Sequence, residues 1–233
     1  MPLLPVPNLF NPARGTHALA LAPSYDRSVP ERLYFTDSDG ANELIASDPM
    51  ALLVGFALDQ QVPVQKAFMG PFVLRERVGS LDPEALAEAD LEPAFRARPA
   101  IHRFPGAMAQ RVHDLAVHIR DRYGGDAAGV WTDAEDADEL RANIAALPGF
   151  GEMKIKALGA VLANRFGVKA ARELVPGHPT LGDVDSLQAL ADYQAAKRAH
   201  KAEWSKMRAG AGSGGKVSRR RSAASRSGPT PAR

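Results

Sequence analysis

The stretch Leu147-Pro148-Gly149-Phe150-Gly151-Glu152-Met153-Lys154-Ile155-Lys156-Ala157-Leu158 decides the fold. Helical spacing of apolar residues runs into it over 136–146 and out of it over 152–165. Between the two predicted helices stands Pro-Gly-Phe-Gly. Proline cannot continue a helix, and glycine reaches backbone conformations closed to other residues. The second helix then opens on N–H groups without intrahelical acceptors, at the positive end of its dipole. Lys154 and Lys156 follow within its first turns. Such a hairpin suits a nucleic-acid phosphate. The same pattern also makes a plain turn between two antiparallel helices.

Working outward, the chain reads as helices throughout. Ser47-Asp48-Pro49 is a start signal, a cap residue followed by proline in the first turn. It opens a predicted helix over 50–61 whose Leu52, Leu53, Phe56, Ala57 and Leu58 leave it apolar nearly all round, the mark of a buried central helix. A short helix over 41–47 precedes it. Further helices are expected over 64–78, 85–89 with Asp82 as cap, 91–97, and 107–123, the last stopped by Gly124-Gly125. Thr132 or Asp133 is expected to cap the turn leading into the hairpin's first helix, and Gly167 to close its second. A final long helix is expected over 184–207. No alternating strand pattern of useful length is present, so the expected fold class is all-α.

Composition sets the limits. The chain has 233 residues, 45% hydrophobic and 24% charged, enough for one large domain or two small ones. Residues 1–30, rich in Pro, Ala and Leu, read as an irregular extension with Leu9 and Phe10 as its packing residues. Residues 31–208 read as the helical domain. Residues 209–233, rich in Gly, Ser and Arg, cannot bury a core and are expected to be disordered. The opening Met1-Pro2-Leu3-Leu4-Pro5-Val6-Pro7 lacks the basic start of a secretory signal, and no apolar run reaches membrane-spanning length. A cytoplasmic protein without membrane contact is expected.

There are no cysteines, which excludes disulfides, thiolate zinc sites and cysteine-ligated iron–sulfur clusters. The six histidines show no metal-ligand spacing, and no metal site is expected. Lys and Arg number 29 against 27 Asp and Glu, but six of the cations and none of the acids lie in 209–233, so residues 1–208 carry a net −4. A DNA-binding surface on the folded part must therefore be a local patch. The basic tail either adds non-specific attraction to phosphate or only solubilises the chain.

The Leu-Pro-Gly-apolar-Gly turn followed by a helix resembles the hairpin of the helix-hairpin-helix DNA glycosylase superfamily. The resemblance spans roughly residues 40–205. It looks closest to a branch without an iron–sulfur cluster, labelled helix-hairpin-helix base-excision repair protein, through the run Leu58-Asp59-Gln60-Gln61-Val62-Pro63, the segment Phe104-Pro105-Gly106-Ala107-Met108-Ala109, and Lys197-Arg198-Ala199-His200-Lys201. It implies a two-lobed helical fold with the active site in the cleft between lobes. Pro148, Gly149, Phe150, Gly151 and Met153, with Lys154 and Lys156, would face the DNA backbone. No cofactor is implied beyond a monovalent cation at the hairpin.

Gln60 or Gln61, at the end of the early buried helix, would enter the duplex in place of an extruded base. The catalytic carboxylate would come from Thr180-Leu181-Gly182-Asp183-Val184-Asp185-Ser186, where Asp183 and Asp185 are both candidates and Asp183 is favoured. Cleaving an N-glycosidic bond builds positive charge on the sugar, which a carboxylate stabilises while it orients or deprotonates a water. Where bifunctional relatives place a Schiff-base lysine, this chain has Met153. The resemblance thus implies a monofunctional, monomeric, nucleoid-associated glycosylase acting on a damaged or mismatched base in double-stranded DNA. The rival is a non-catalytic DNA-structure-binding protein on the same scaffold.

Overall fold

The computed structural model describes residues 29–199, and every regular element among them is helical. The chain enters as an extended segment whose Leu33 and Phe35 are fully buried. Asn42 of α1 (Asp39–Ser47) pins this segment. Its Oδ1 accepts from the Thr36 amide and hydroxyl, both at 2.9 Å, and its Nδ2 donates to the Thr36 carbonyl at 3.0 Å. This buried polar pair is satisfied, as burial requires.

Asp48 caps α2 (Pro49–Leu58), accepting from the amides of Met50 and Ala51 at 2.9 and 3.1 Å. Every residue of α2 from Met50 to Leu58 is buried, as its all-round apolar sequence predicts. α3 (Val64–Val78) lies against it, closely enough that a Cβ on Gly55 would stand 2.7 Å from Phe68 Cε1. Phe68 also meets Phe35 and Phe56 edge to face, at centroid separations of 4.9 and 5.1 Å. α4 (Pro83–Glu88) and α5 (Glu92–Arg96) both pack on α6 (Pro105–Tyr123).

A second set of elements follows: α7 (Gly129–Thr132), α8 (Ala137–Ala145), α9 (Glu152–Asn164), and 3-10 turns at Ala170–Leu174 and Leu181–Asp183. α9 packs on both turns. A last helix, α10, is described over 187–199. It leaves the second set and reaches the first, where Gln194 and Gln65 exchange amide hydrogen bonds of 2.6 and 3.4 Å. One apolar core runs through both sets. Among the described residues no single helix is long and apolar enough to cross a membrane.

Three boundaries differ from the sequence expectation. α2 stops at Leu58 rather than 61. Val62 precedes Pro63 and is pushed out of the helical region, and Gln61 takes a left-handed φ of 57° to turn the chain into α3. The cap of α8 is Asp136, which accepts from the Glu139 amide at 2.9 Å; Thr132 instead lies within α7. The final helix begins at 187 rather than 184, because Val184 is buried in an extended conformation and Ser186 supplies the cap to Ala189 at 3.1 Å. Its expected continuation to 207, residues 1–28 with Leu9 and Phe10, and the tail lie outside the described residues.

Candidate nucleic-acid interface

The hairpin joins α8 to α9, and its two glycines differ. Gly149 has φ +81°, which a side chain would strain, whereas Gly151 has φ −97° and extended backbone open to any residue. Phe150 between them is 6% exposed, so it anchors the turn in the core and does not face outward. Its amide donates to the Leu147 carbonyl at 3.1 Å. α9 has no side-chain cap, and its bonds to the Gly151 carbonyl come only from the amides of Lys154 and Ile155. Among the described residues the amides of Gly151, Glu152 and Met153 therefore have no acceptor. They sit on an exposed surface, and the Met153 side chain is 74% exposed. Pro148, half-buried, leads into the turn. Lys156 pairs with Glu152 at 3.4 Å, and Glu152 with Arg141 at 2.8 Å. These cations hold the Glu152 carboxyl below its ordinary pKa.

The bend after α2 meets this hairpin through one side chain. Arg111, on α6, donates from Nη1 to Gln60 Oε1, and the same guanidinium lies against Gly149, where a Cβ would stand 2.6 Å from Arg111 Nε. Gln60 and Gln61 are both exposed. The Gln60 carbonyl is held from the other side by His102 Nε2 at 3.1 Å. His102 Nδ1 accepts from the Phe104 amide at 3.1 Å, so the ring is the neutral tautomer with its proton on Nε2. His102 is buried, and desolvation lowers its pKa; the bond to Gln60 opposes this, and the charges of Lys66 and Arg103 reinforce it. Neither Arg111 nor His102 stood out in the sequence, since each meets Gln60 from about forty or fifty residues away along the chain.

Lys154 departs from its expected place. Its side chain does not join the hairpin amides but turns inward, where Nζ donates to the Ala57 carbonyl of α2 at 3.0 Å and lies 5.3 Å from the Phe150 ring centroid. Burial lowers its pKa to about 8, helped by the charge of Arg111 and opposed by Asp59. Asp59, half-buried beside it, is shifted upward by desolvation against the pull of Lys197 and Lys154. Lys154 thus ties α9 to the end of α2.

The two candidate acids are also distinct. Asp183 closes a capping box: its Oδ2 accepts from the Thr180 amide at 2.7 Å and from the Thr180 hydroxyl at 3.2 Å, and its Oδ1 accepts from Asn164 Nδ2 at 3.2 Å. Asp185 stands one residue before the cap of α10, exposed, and makes no hydrogen bond or ion pair among the described residues. Gly182 seats this whole segment on α9, where a Cβ would come within 2.5 Å of the Ala160 carbonyl carbon.

Arg111 puts a fixed positive charge against Gly149, which opposes a monovalent cation there. Among the described residues no group of His, Asp and Glu side chains is placed to hold a metal ion. Comparison with family models, with curated proteins and with solved structures found no match to this chain.

Proposed function

We propose that this chain is a helix-hairpin-helix DNA glycosylase that hydrolyses the N-glycosidic bond of a damaged or mismatched base and has no lyase step. One observation carries the proposal: Arg111 bridges Gln60 and Gly149, two elements expected to act on the same duplex that lie about ninety residues apart in sequence. In this reading the acceptor-free amides of Gly151, Glu152 and Met153 take a backbone phosphate. Gln60 is held at its carbonyl by His102 and at its side chain by Arg111, so little ordering remains when it replaces an extruded base. Asp185 is assigned as the acid that stabilises the sugar cation and orients water, because the Asp183 oxygens are already engaged in the cap. Met153 cannot form an imine, and Lys154 has its amine turned under Phe150 onto a backbone carbonyl.

The test is single-turnover base release from duplexes carrying one uracil, alkylated purine, oxidised purine or mismatch. Release from one of them, abolished by Asp185→Asn with the melting temperature unchanged, supports the proposal. Loss with Asp183→Asn alone moves the acid to Asp183. Tight duplex binding without release from any substrate leaves the second reading, a non-catalytic DNA-structure binder, which the absence of any hydrogen bond positioning Asp185 among the described residues favours.

A further inference from the structure

A second basic surface lies on the other side of Gln60. Lys66, Arg96, Arg98, His102 and Arg103 line an open groove of about 810 Å³ with Pro99, Ala100 and Pro105, and no carboxylate lines it. Lys66, Arg96, Arg98 and Arg103 are all exposed. Arg96 is tied to Glu92 at 2.5 Å, but Lys66, Arg98 and Arg103 have no carboxylate partner among the described residues. Arg103 lies over the ring of Phe104, 4.8 Å from its centroid, and Phe104 is itself 41% exposed.

The groove has a built frame. Arg77 of α3 donates to the carbonyls of Ala94, Ala97 and Pro99 at 2.6, 3.0 and 2.9 Å, fixing the segment that carries Arg96 and Arg98. Three uncompensated cations this close repel one another, and the part of the chain that holds them is net acidic. Such a concentration is explained by an anionic partner. Its position is explained by His102, which lines the groove and also grips the Gln60 carbonyl. Contacts run without a break from the groove through His102, Gln60 and Arg111 to Gly149.

We propose that this groove is a second phosphate-binding track, which holds the backbone of the same duplex whose other contact is the hairpin, with Gln60 between the two grips. The proposal rests on the DNA-binding reading above. A repeating anion fits better than a single phosphate, because four exposed cations line one open groove of about 810 Å³, more charge and more room than a single phosphate fills. Phosphate contacts of this kind set affinity and register and carry no base information.

The experiment measures duplex affinity of the full chain against salt concentration, with four proteins: the unaltered chain, Lys66→Ala/Arg98→Ala/Arg103→Ala, Lys66→Arg/Arg98→Lys/Arg103→Lys, and Gly151→Leu. All three groove side chains are exposed, so the melting temperature should hold. The alanine variant should bind about a hundredfold more weakly near physiological salt, with a salt slope shallower by about 2 to 3, since each phosphate contact contributes about 0.9. The charge-conserving variant should keep most of the affinity. Unchanged affinity and slope in the alanine variant, with loss in Gly151→Leu, would overturn the groove and leave the hairpin reading standing. Loss in the alanine variant with Gly151→Leu unaffected would support the groove and remove the hairpin. Failure of the unaltered chain to bind any duplex would overturn both.

Discussion

Gly149 and Gly151 are two residues apart and do different work. Gly149 needs its missing Cβ twice, for a left-handed φ and for the Arg111 guanidinium lying on it. Gly151 has ordinary backbone and nothing within 4 Å of an added Cβ, so its value lies in keeping the amides beside it uncovered. Gly151→Leu should therefore fold with an unchanged melting temperature and bind every duplex sequence more weakly by the same factor. Loss confined to one lesion would assign Gly151 to base recognition. Lys154 gives a second prediction at this scale. Burial holds its pKa at about 8 in the folded chain against 10.5 for an ordinary solvated lysine, so the unfolded chain binds more protons in the window between them. By linkage, stability from this group rises with pH across that window. Urea unfolding should show a gain between pH 8 and about 9.5, below the tyrosine range, that Lys154→Met lacks. Equal pH slopes in the two proteins would mean that Lys154 is solvated.

At the scale of elements, the candidate acids depend on how the turn Leu181–Asp183 sits on α9. Contact there is backbone to backbone at Gly182, and the Ala160 carbonyl it touches is fixed in the hydrogen-bond ladder of α9. A methyl group at Gly182 has no flexible neighbour to displace. Gly182→Ala should destabilise the fold by about 1–3 kcal/mol, as overpacking does, and lower any base release through displacement of Asp183 and Asp185. Gly177→Ala, with nothing within 4 Å, is the control and should be near neutral. Denaturant midpoints for the two variants check this, and equal midpoints would show that the turn can lift away from α9 without loss. The helix starts that sequence could locate are those with local chemistry. Asp48 and Asp82 accept from amides two and three residues on. The start of α10 was misplaced because irregular contacts, Asn164 and Thr180 holding Asp183, fix the segment before it, whereas the end of α2 is set locally, by Val62 before Pro63 and the left-handed Gln61.

For the whole molecule, the all-helical class was legible because helical periodicity and capping are short-range properties. The hairpin was legible for the same reason. The remainder of the candidate site was not, because Arg111 meets Gln60 across 51 residues and Lys154 meets Ala57 across 97, and no local pattern encodes such meetings. Charge is also a whole-chain property here, since the six cations of residues 209–233 turn a net −4 over residues 1–208 into +2. The two proposed sources of DNA attraction can thus be separated. Hairpin and groove belong to the helical part, which has its own continuous core, while the tail sequence offers only Val217 and alanines as apolar residues, too little to add to one. A chain ending at Met207 should keep its melting temperature, and its salt slope for duplex binding should become shallower by at most about 6, the share of seven cations, Arg208 and the six of the tail, at about 0.9 each. The slope that remains should be the part sensitive to Lys66, Arg98 and Arg103. A fall in melting temperature on truncation would mean that the tail packs on the helical domain, and a slope that vanished would assign all of the electrostatic attraction to the tail.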